Sequence, residues 1–135
     1  MPDTAPLVKS IELIVPGQAT AATDSSVVSG RAPFAGVVIN VTYTPAAAIT
    51  GANTNTRAVR LRNRGQSGSG TTVIAELQFD SGVNAAIYDE KTIPLSSTAA
   101  NLIVAEGDIL EWFSDAVGTG QTDPGGLAKV DISRS

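Results

Sequence analysis

The chain has no cysteine and no histidine. Without cysteine there are no disulfides and no thiolate metal sites, so 135 residues must hold together by packing. A chain of that length buries roughly two-thirds of its unfolded surface, enough for a core without staples. Without histidine the commonest general base and the commonest transition-metal ligand are both missing. Nucleophilic sites of the Ser-His-Asp and Cys-His kinds are therefore excluded. Aromatic residues are scarce, at one Trp, two Tyr and three Phe, which leaves little to line a sugar cleft or stack on bases. Charged residues are only 16% of the chain, with a net charge of −4, an acidic balance that argues against nucleic acid as a partner. No apolar run approaches the roughly 20 residues of a membrane span, so no membrane partner is expected. The first residues, Met-Pro-Asp-Thr-Ala-Pro, lack the basic and apolar regions of a secretory signal. Synthesis and folding in a cytoplasm is the expectation.

What is present is β patterning. In residues 37–44, Val37, Ile39, Val41 and Tyr43 alternate with Asn40, Thr42 and Thr44. Period two, carried by β-branched and aromatic side chains, predicts a half-buried strand. Residues 57–64 repeat it, with Val59 and Leu61 opposite Arg60, Arg62 and Arg64. So do residues 71–80, with Val73, Ala75, Leu77 and Phe79 on one face and Thr72, Glu76, Gln78 and Asp80 on the other. Residues 8–15 read as a strand with Ile11, Leu13 and Val15 on one face, ended by Pro16-Gly17. Short strands are expected at 85–87 and 92–95, with Pro94 marking an edge or a bend. Residues 101–105 and 108–113 form a late hairpin in which Gly107 supplies a positive φ. The last strand, 127–132, faces Ala128, Val130 and Ile132 inward.

About eight strands at sandwich spacing, with no helix-length periodicity, predict an all-β fold. The expected architecture is a single antiparallel β-sandwich, most simply a jelly roll, with an extended N-terminal arm. The division expected is 1–33 as an arm holding one strand and a flexible linker, and 34–135 as the sandwich. Residues 17–33 carry Gly, Ala, Ser and Thr with one apolar pair, Val27-Val28, and read as a segment that orders on a partner.

Candidate chemistry is thin. Lys9, Lys91 and Lys129 sit in no Ser-x-x-Lys spacing. Glu106, Asp108, Glu111, Asp115 and Asp123 cluster late in the chain, and a glycosidase needs two carboxyls across a cleft. Turn-forming acids on exposed hairpins account for them equally. The dense Asp-x-Asp-x-Asp-Gly pattern of a calcium loop is absent. The glycine-rich stretches 65–70 and 118–120 lack the lysine and helix of a phosphate cradle. No catalytic residue, cofactor or metal is expected.

The arginine strand is the unusual feature. Arg57, Arg60, Arg62 and Arg64 are four of nine basic residues, within eight positions of an acidic chain. Arg60, Arg62 and Arg64 share a face over roughly 13 Å. They read either as a solvated face paired with acids such as Glu76 and Asp80, or as a basic stripe that docks on an acidic protein surface. Trp112 reads as a core residue or an interface anchor. The candidate interface residues are thus Arg57, Arg60, Arg62, Arg64, Trp112, Val27 and Val28.

Five short stretches carry a likeness. They are residues 41–57 (VTYTPAAAITGANTNTR), residues 61–65 with 70–75 (LRNRG, then GTTVIA), and residues 101–112 (NLIVAEGDILEW) with Pro124-Gly-Gly126. Over roughly residues 34–133 the chain resembles the head decoration, or cement, proteins of tailed bacteriophages. That resemblance implies a β-rich virion protein on the capsid exterior, often a homotrimer, with the major capsid protein as its partner and no enzymatic activity. The alternative expectation is a carbohydrate- or receptor-binding module of a tail fibre or minor virion protein.

Overall fold

The computed structural model describes residues 7–134. The part of the expected arm before Leu7 lies outside the described residues. Nine strands run in chain order: β1 (Val8–Val15), β2 (Ser25–Arg31), β3 (Gly36–Pro45), β4 (Thr56–Gly65), β5 (Thr72–Gln78), β6 (Lys91–Thr92), β7 (Ile103–Val104), β8 (Ile109–Val117) and β9 (Gly126–Arg134). A 3-10 turn, Ala99–Leu102, precedes β7. One sheet has the order β1-β9-β3-β6 with β7 also on β3, and the other has the order β2-β8-β4-β5. Every strand pair is antiparallel.

The pairing is nested. β1 pairs with β9, β2 with β8, β3 with β6, and β4 with β5. A ribbon of such pairs, rolled so that β9 also meets β3 and β8 also meets β4, is a jelly roll. The expected all-β sandwich is therefore the observed fold. Inward side chains of the two sheets form one core, with Trp112, Tyr43, Phe79, Leu61, Ile74, Leu110 and Ile132 fully buried. The Tyr43 and Trp112 rings meet at 5.5 Å and 44°, joining the two sheets.

The expected arm is corrected. β1 pairs along its length with β9, and β2 pairs with β8, so the described part of 1–33 belongs to the sandwich. β2 is Ser-Ser-Val-Val-Ser-Gly-Arg, weak in apolar content, and it is held by β8, where Val27 stands opposite Trp112. A neighbouring strand supplies the hydrogen bonds that composition alone does not announce.

Two bulges shift the expected phases. In β3 the register slips between Val38 and Asn40, so Val38 turns inward at 1% exposure while Ile39 stands out at 48%. In β5 the slip lies opposite Leu61 and Arg62, and Ile74 enters the core. The expected strand at 85–87 is reduced to one bridge between Ala85 and Ile49. The expected hairpin of 101–105 with 108–113 is corrected: residues 101–102 belong to the 3-10 turn, β7 pairs with β3 in one sheet, and β8 pairs with β2 and β4 in the other, so the turn at Gly107 carries the chain between sheets. Gly107 has φ +85, as its turn requires.

The two long sides of the sandwich differ. On one, the chain crosses between sheets at the expected bend: Ile93 N–H donates to the Val41 carbonyl, Glu76 N–H to Pro94, and Ser96 N–H to Ile74. Pro94 lacks an N–H and sits where none is required. On the other side β1 and β2 are both edge strands, and the inward Ile11, Leu13 and Val27 are only partly buried. No helix of the described residues is long and apolar enough to cross a membrane.

Candidate functional site

The β4–β8 register explains where the arginines go. Arg60 stands opposite Phe113 on β8 and Glu76 on β5, and Arg62 stands opposite Glu111. Partners opposite one another share a face, so acids on both flanking strands reach the arginines. Arg60 pairs with Glu76 and, at 2.8 Å, with Asp115. Arg62 pairs with Glu111 at 2.6 Å, and its guanidinium lies 4.1 Å from the centre of the Phe113 ring. This outer face is a lattice of alternating charge around one aromatic ring. Asp80, the other acid expected to pair, makes no ion pair among the described residues, and its backbone forms an isolated β-bridge with Ala52. Arg64 makes no ion pair among the described residues.

Arg57 is not on that face. It shares the inward phase of Val59 and Leu61 and is fully buried. Its Nε and Nη2 donate to the Gln121 carbonyl at 2.8 and 2.5 Å. The remaining donors reach the carbonyls of Ala21 at 3.1 Å, Thr23 at 3.0 Å and Ser114 at 3.3 Å. The guanidinium thus ties the β1–β2 and β8–β9 connections to the sandwich end, and its place among interface residues is corrected for this reason. Gly120 makes the arrangement feasible. It has φ +71, and a Cβ there would collide with the Ala21 carbonyl.

Trp112 is likewise core, at 1% exposure, and its Nε1 has no hydrogen-bond partner among the described residues. It meets Val27, Val15, Pro16 and Ser25 in a narrow slot at the open side of the sandwich. Val28 points outward and is 61% exposed. Of the seven candidates, the structure brings Arg60 and Arg62 together with Phe113 and gathers Trp112 with Val27. It leaves Val28 and Arg64 apart and turns Arg57 inward.

The late carboxylates are all engaged except Glu106. Asp108 accepts from the Ala105 N–H at 2.8 Å, Asn63 Nδ2 at 2.9 Å and Gln66 Nε2 at 2.6 Å. Burial works against its charge, but these three donors outweigh it and hold its pKa below the usual carboxylate range. Asp123 is 3% exposed and accepts from Tyr43 Oη at 2.8 Å, Ser114 Oγ at 2.6 Å and Gly125 N–H at 3.0 Å. Burial, then the charge of Asp123 and its hydrogen bond, push the Tyr43 hydroxyl pKa far up. Among the described residues no three acids converge in a way that would hold a metal ion.

The outer face of the five-stranded sheet was not foreseen as a surface. Val8, Ser133, Val37 and Ile103 form one row across four strands. Val8 is 48% exposed and Ile103 60%. The next row is polar, with Asp131 accepting from Ser10 Oγ at 2.5 Å and Asn40 Nδ2 at 3.3 Å. Ile14 stands at the far end of the same face. The signal available in the sequence was the alternate phase of β1, where Val8, Ser10, Glu12 and Ile14 lie opposite the core residues.

No protein-family model matches the chain, and no curated relative matches it. Among solved structures, a chain of Desmodium yellow mottle tymovirus aligns over 99% of this chain and 91% of its own, at 12% identity and a TM-score of 0.36. A likeness at that level carries no argument about what this chain does.

Proposed function

We propose that this chain is a non-enzymatic structural protein of a virion, a decoration protein that binds the exterior of an assembled bacteriophage capsid and stabilises it. The observation that carries the reading is a contrast on the surface. Arg60 and Arg62 of the four-stranded sheet are paired with carboxylates within the fold, while Val8 and Ile103 stand exposed in one row on the outer face of the other sheet. Apolar groups gathered on an outer face mark a site of protein contact. The sequence resemblance to decoration proteins points to the same partner, the major capsid protein, and to a homotrimer as the bound form. The carboxylates a hydrolase would use are tied to arginines, amides and hydroxyls.

Co-sedimentation tests the reading. Heads purified without this protein should carry it into the pellet to a saturable level, and protein left wholly in the supernatant would count against it.

A receptor-binding module is favoured by one feature. Tyr88 is 76% exposed, beside the exposed Ile87, and holds φ 59, a region unusual for a bulky residue. A solvent-facing ring on a fixed loop is what a glycan would stack on. Specific glycan-array binding that is lost in Tyr88→Ala would promote this second reading.

A further inference from the structure

The two ends of the sandwich carry opposite charge. At the end formed by the start of β1 and the ends of β2, β4 and β9 lie Lys9, Arg31, Arg64 and Arg134. The short connection from Arg31 to Gly36 and the hydrogen bond from Arg31 Nη1 to the Gly107 carbonyl show that both sheets meet there. None of these four cations is in an ion pair among the described residues. Of the acids at this end, Asp108 is buried with its oxygens occupied, which leaves Glu106 exposed. The opposite end exposes Asp24, Asp80, Asp89 and Glu90, with Lys91 as its partly exposed cation.

The basic end is also apolar. The row of Val8, Val37 and Ile103 abuts it, and the Arg134 N–H donates to the Leu7 carbonyl in the adjoining row. The Arg134 guanidinium lies 5.0 Å from the centre of the Phe34 ring, so its stem and head are held over the core. Exposed apolar side chains beside unpaired cations are complementary to an acidic protein surface. The self-neutralised Arg60–Arg62 face is not, because each of its cations already has a carboxylate.

We infer that the chain docks through this end, with Val8 and Ile103 as apolar contacts and Lys9, Arg31, Arg64 and Arg134 facing an acidic protein surface. The inference rests on the capsid-binding reading and names the surface it uses. The apolar row favours a protein over a nucleic acid, whose phosphates offer nothing to bury it against.

The test measures binding to undecorated heads for the wild type, the Lys9→Glu/Arg134→Glu double variant, Ile103→Asp and Ile14→Asp. Melting of each variant alone checks that it is folded. Ile103 and Ile14 are both exposed on the same outer face, at opposite ends, so each controls for the other. The double variant and Ile103→Asp are expected to lose about tenfold or more in affinity, Ile14→Asp to bind as the wild type does, and wild-type binding to weaken with salt. Undiminished binding by the double variant, or a loss confined to Ile14→Asp, overturns this placement and leaves the capsid reading standing. Wild-type protein that ignores the heads removes the capsid reading and this inference with it. Competition by a short duplex DNA through the same residues overturns the protein partner.

Discussion

Arg57 directs both Nε and Nη2 at one acceptor, the backbone carbonyl of Gln121, at 2.8 and 2.5 Å. A fully buried cation so placed serves as a rivet between two loops and the sandwich. Removing it takes a donor from the buried Ser114 carbonyl and from the part-buried carbonyls of Gln121, Ala21 and Thr23. Arg57→Met is expected to destabilise the fold by roughly 3–5 kcal/mol, read from chemical denaturation. Arg57→Lys should recover little, because an ammonium cannot reproduce the planar fork. A change under about 1 kcal/mol for the methionine variant would show that the carbonyls find other partners.

Asp108 links the β4–β5 hairpin to the turn before β8 through Asn63 and Gln66. Its pKa is depressed in the folded state. The sign follows: its stabilisation is complete above the unfolded carboxylate value of about 3.9 and is lost as pH falls through the folded value. The melting temperature should therefore drop in acid more steeply for the wild type than for Asp108→Asn. Parallel acid limbs for the two proteins would contradict the assignment.

Tyr43 gives the opposite limb. Its hydroxyl, buried and bonded to Asp123, has a raised pKa. The stabilisation it carries is complete below about pH 10, the unfolded value, and is lost as pH rises above it. Tyr43→Phe should lose about 1–3 kcal/mol near neutrality, since the buried Asp123 is left with one donor fewer. It should also flatten the alkaline loss of stability.

Thr42 is 2% exposed and its Oγ1 has no hydrogen-bond partner among the described residues. A buried hydroxyl without a partner costs desolvation and returns nothing. Thr42→Val keeps the shape and is expected to be neutral or to stabilise by about 1 kcal/mol. A clear destabilisation would mean that the hydroxyl is satisfied in solution.

The strands with unbroken alternation were legible. β9 places Ala128, Val130 and Ile132 inward, and β1 places Ile11, Leu13 and Val15 inward, as the phases predict. Phase failed at Ile39 and Ile74, because a bulge adds one residue and leaves no mark in the residue types. β2 was missed because serines and glycine give a strand no apolar signature, and only its pairing with β8 reveals it. At the arginines, the link between Arg60 and Glu76 followed from a hairpin register. Asp115 and Glu111 could not be foreseen, since β8 lies far along the chain and only the rolled topology brings it beside β4. The inward turn of Arg57 was readable in principle, since it shares parity with Val59 and Leu61. Charge masked that parity.

Calorimetry of undecorated heads, with and without saturating protein, tests most directly whether this jelly roll acts by holding a capsid together. A ligand that binds only the assembled shell raises its stability by mass action, and many copies act at once. The head transition is expected to move to higher temperature as sites fill and to return when the Lys9→Glu/Arg134→Glu variant replaces the wild type. A head transition unmoved by saturating wild-type protein would contradict the account.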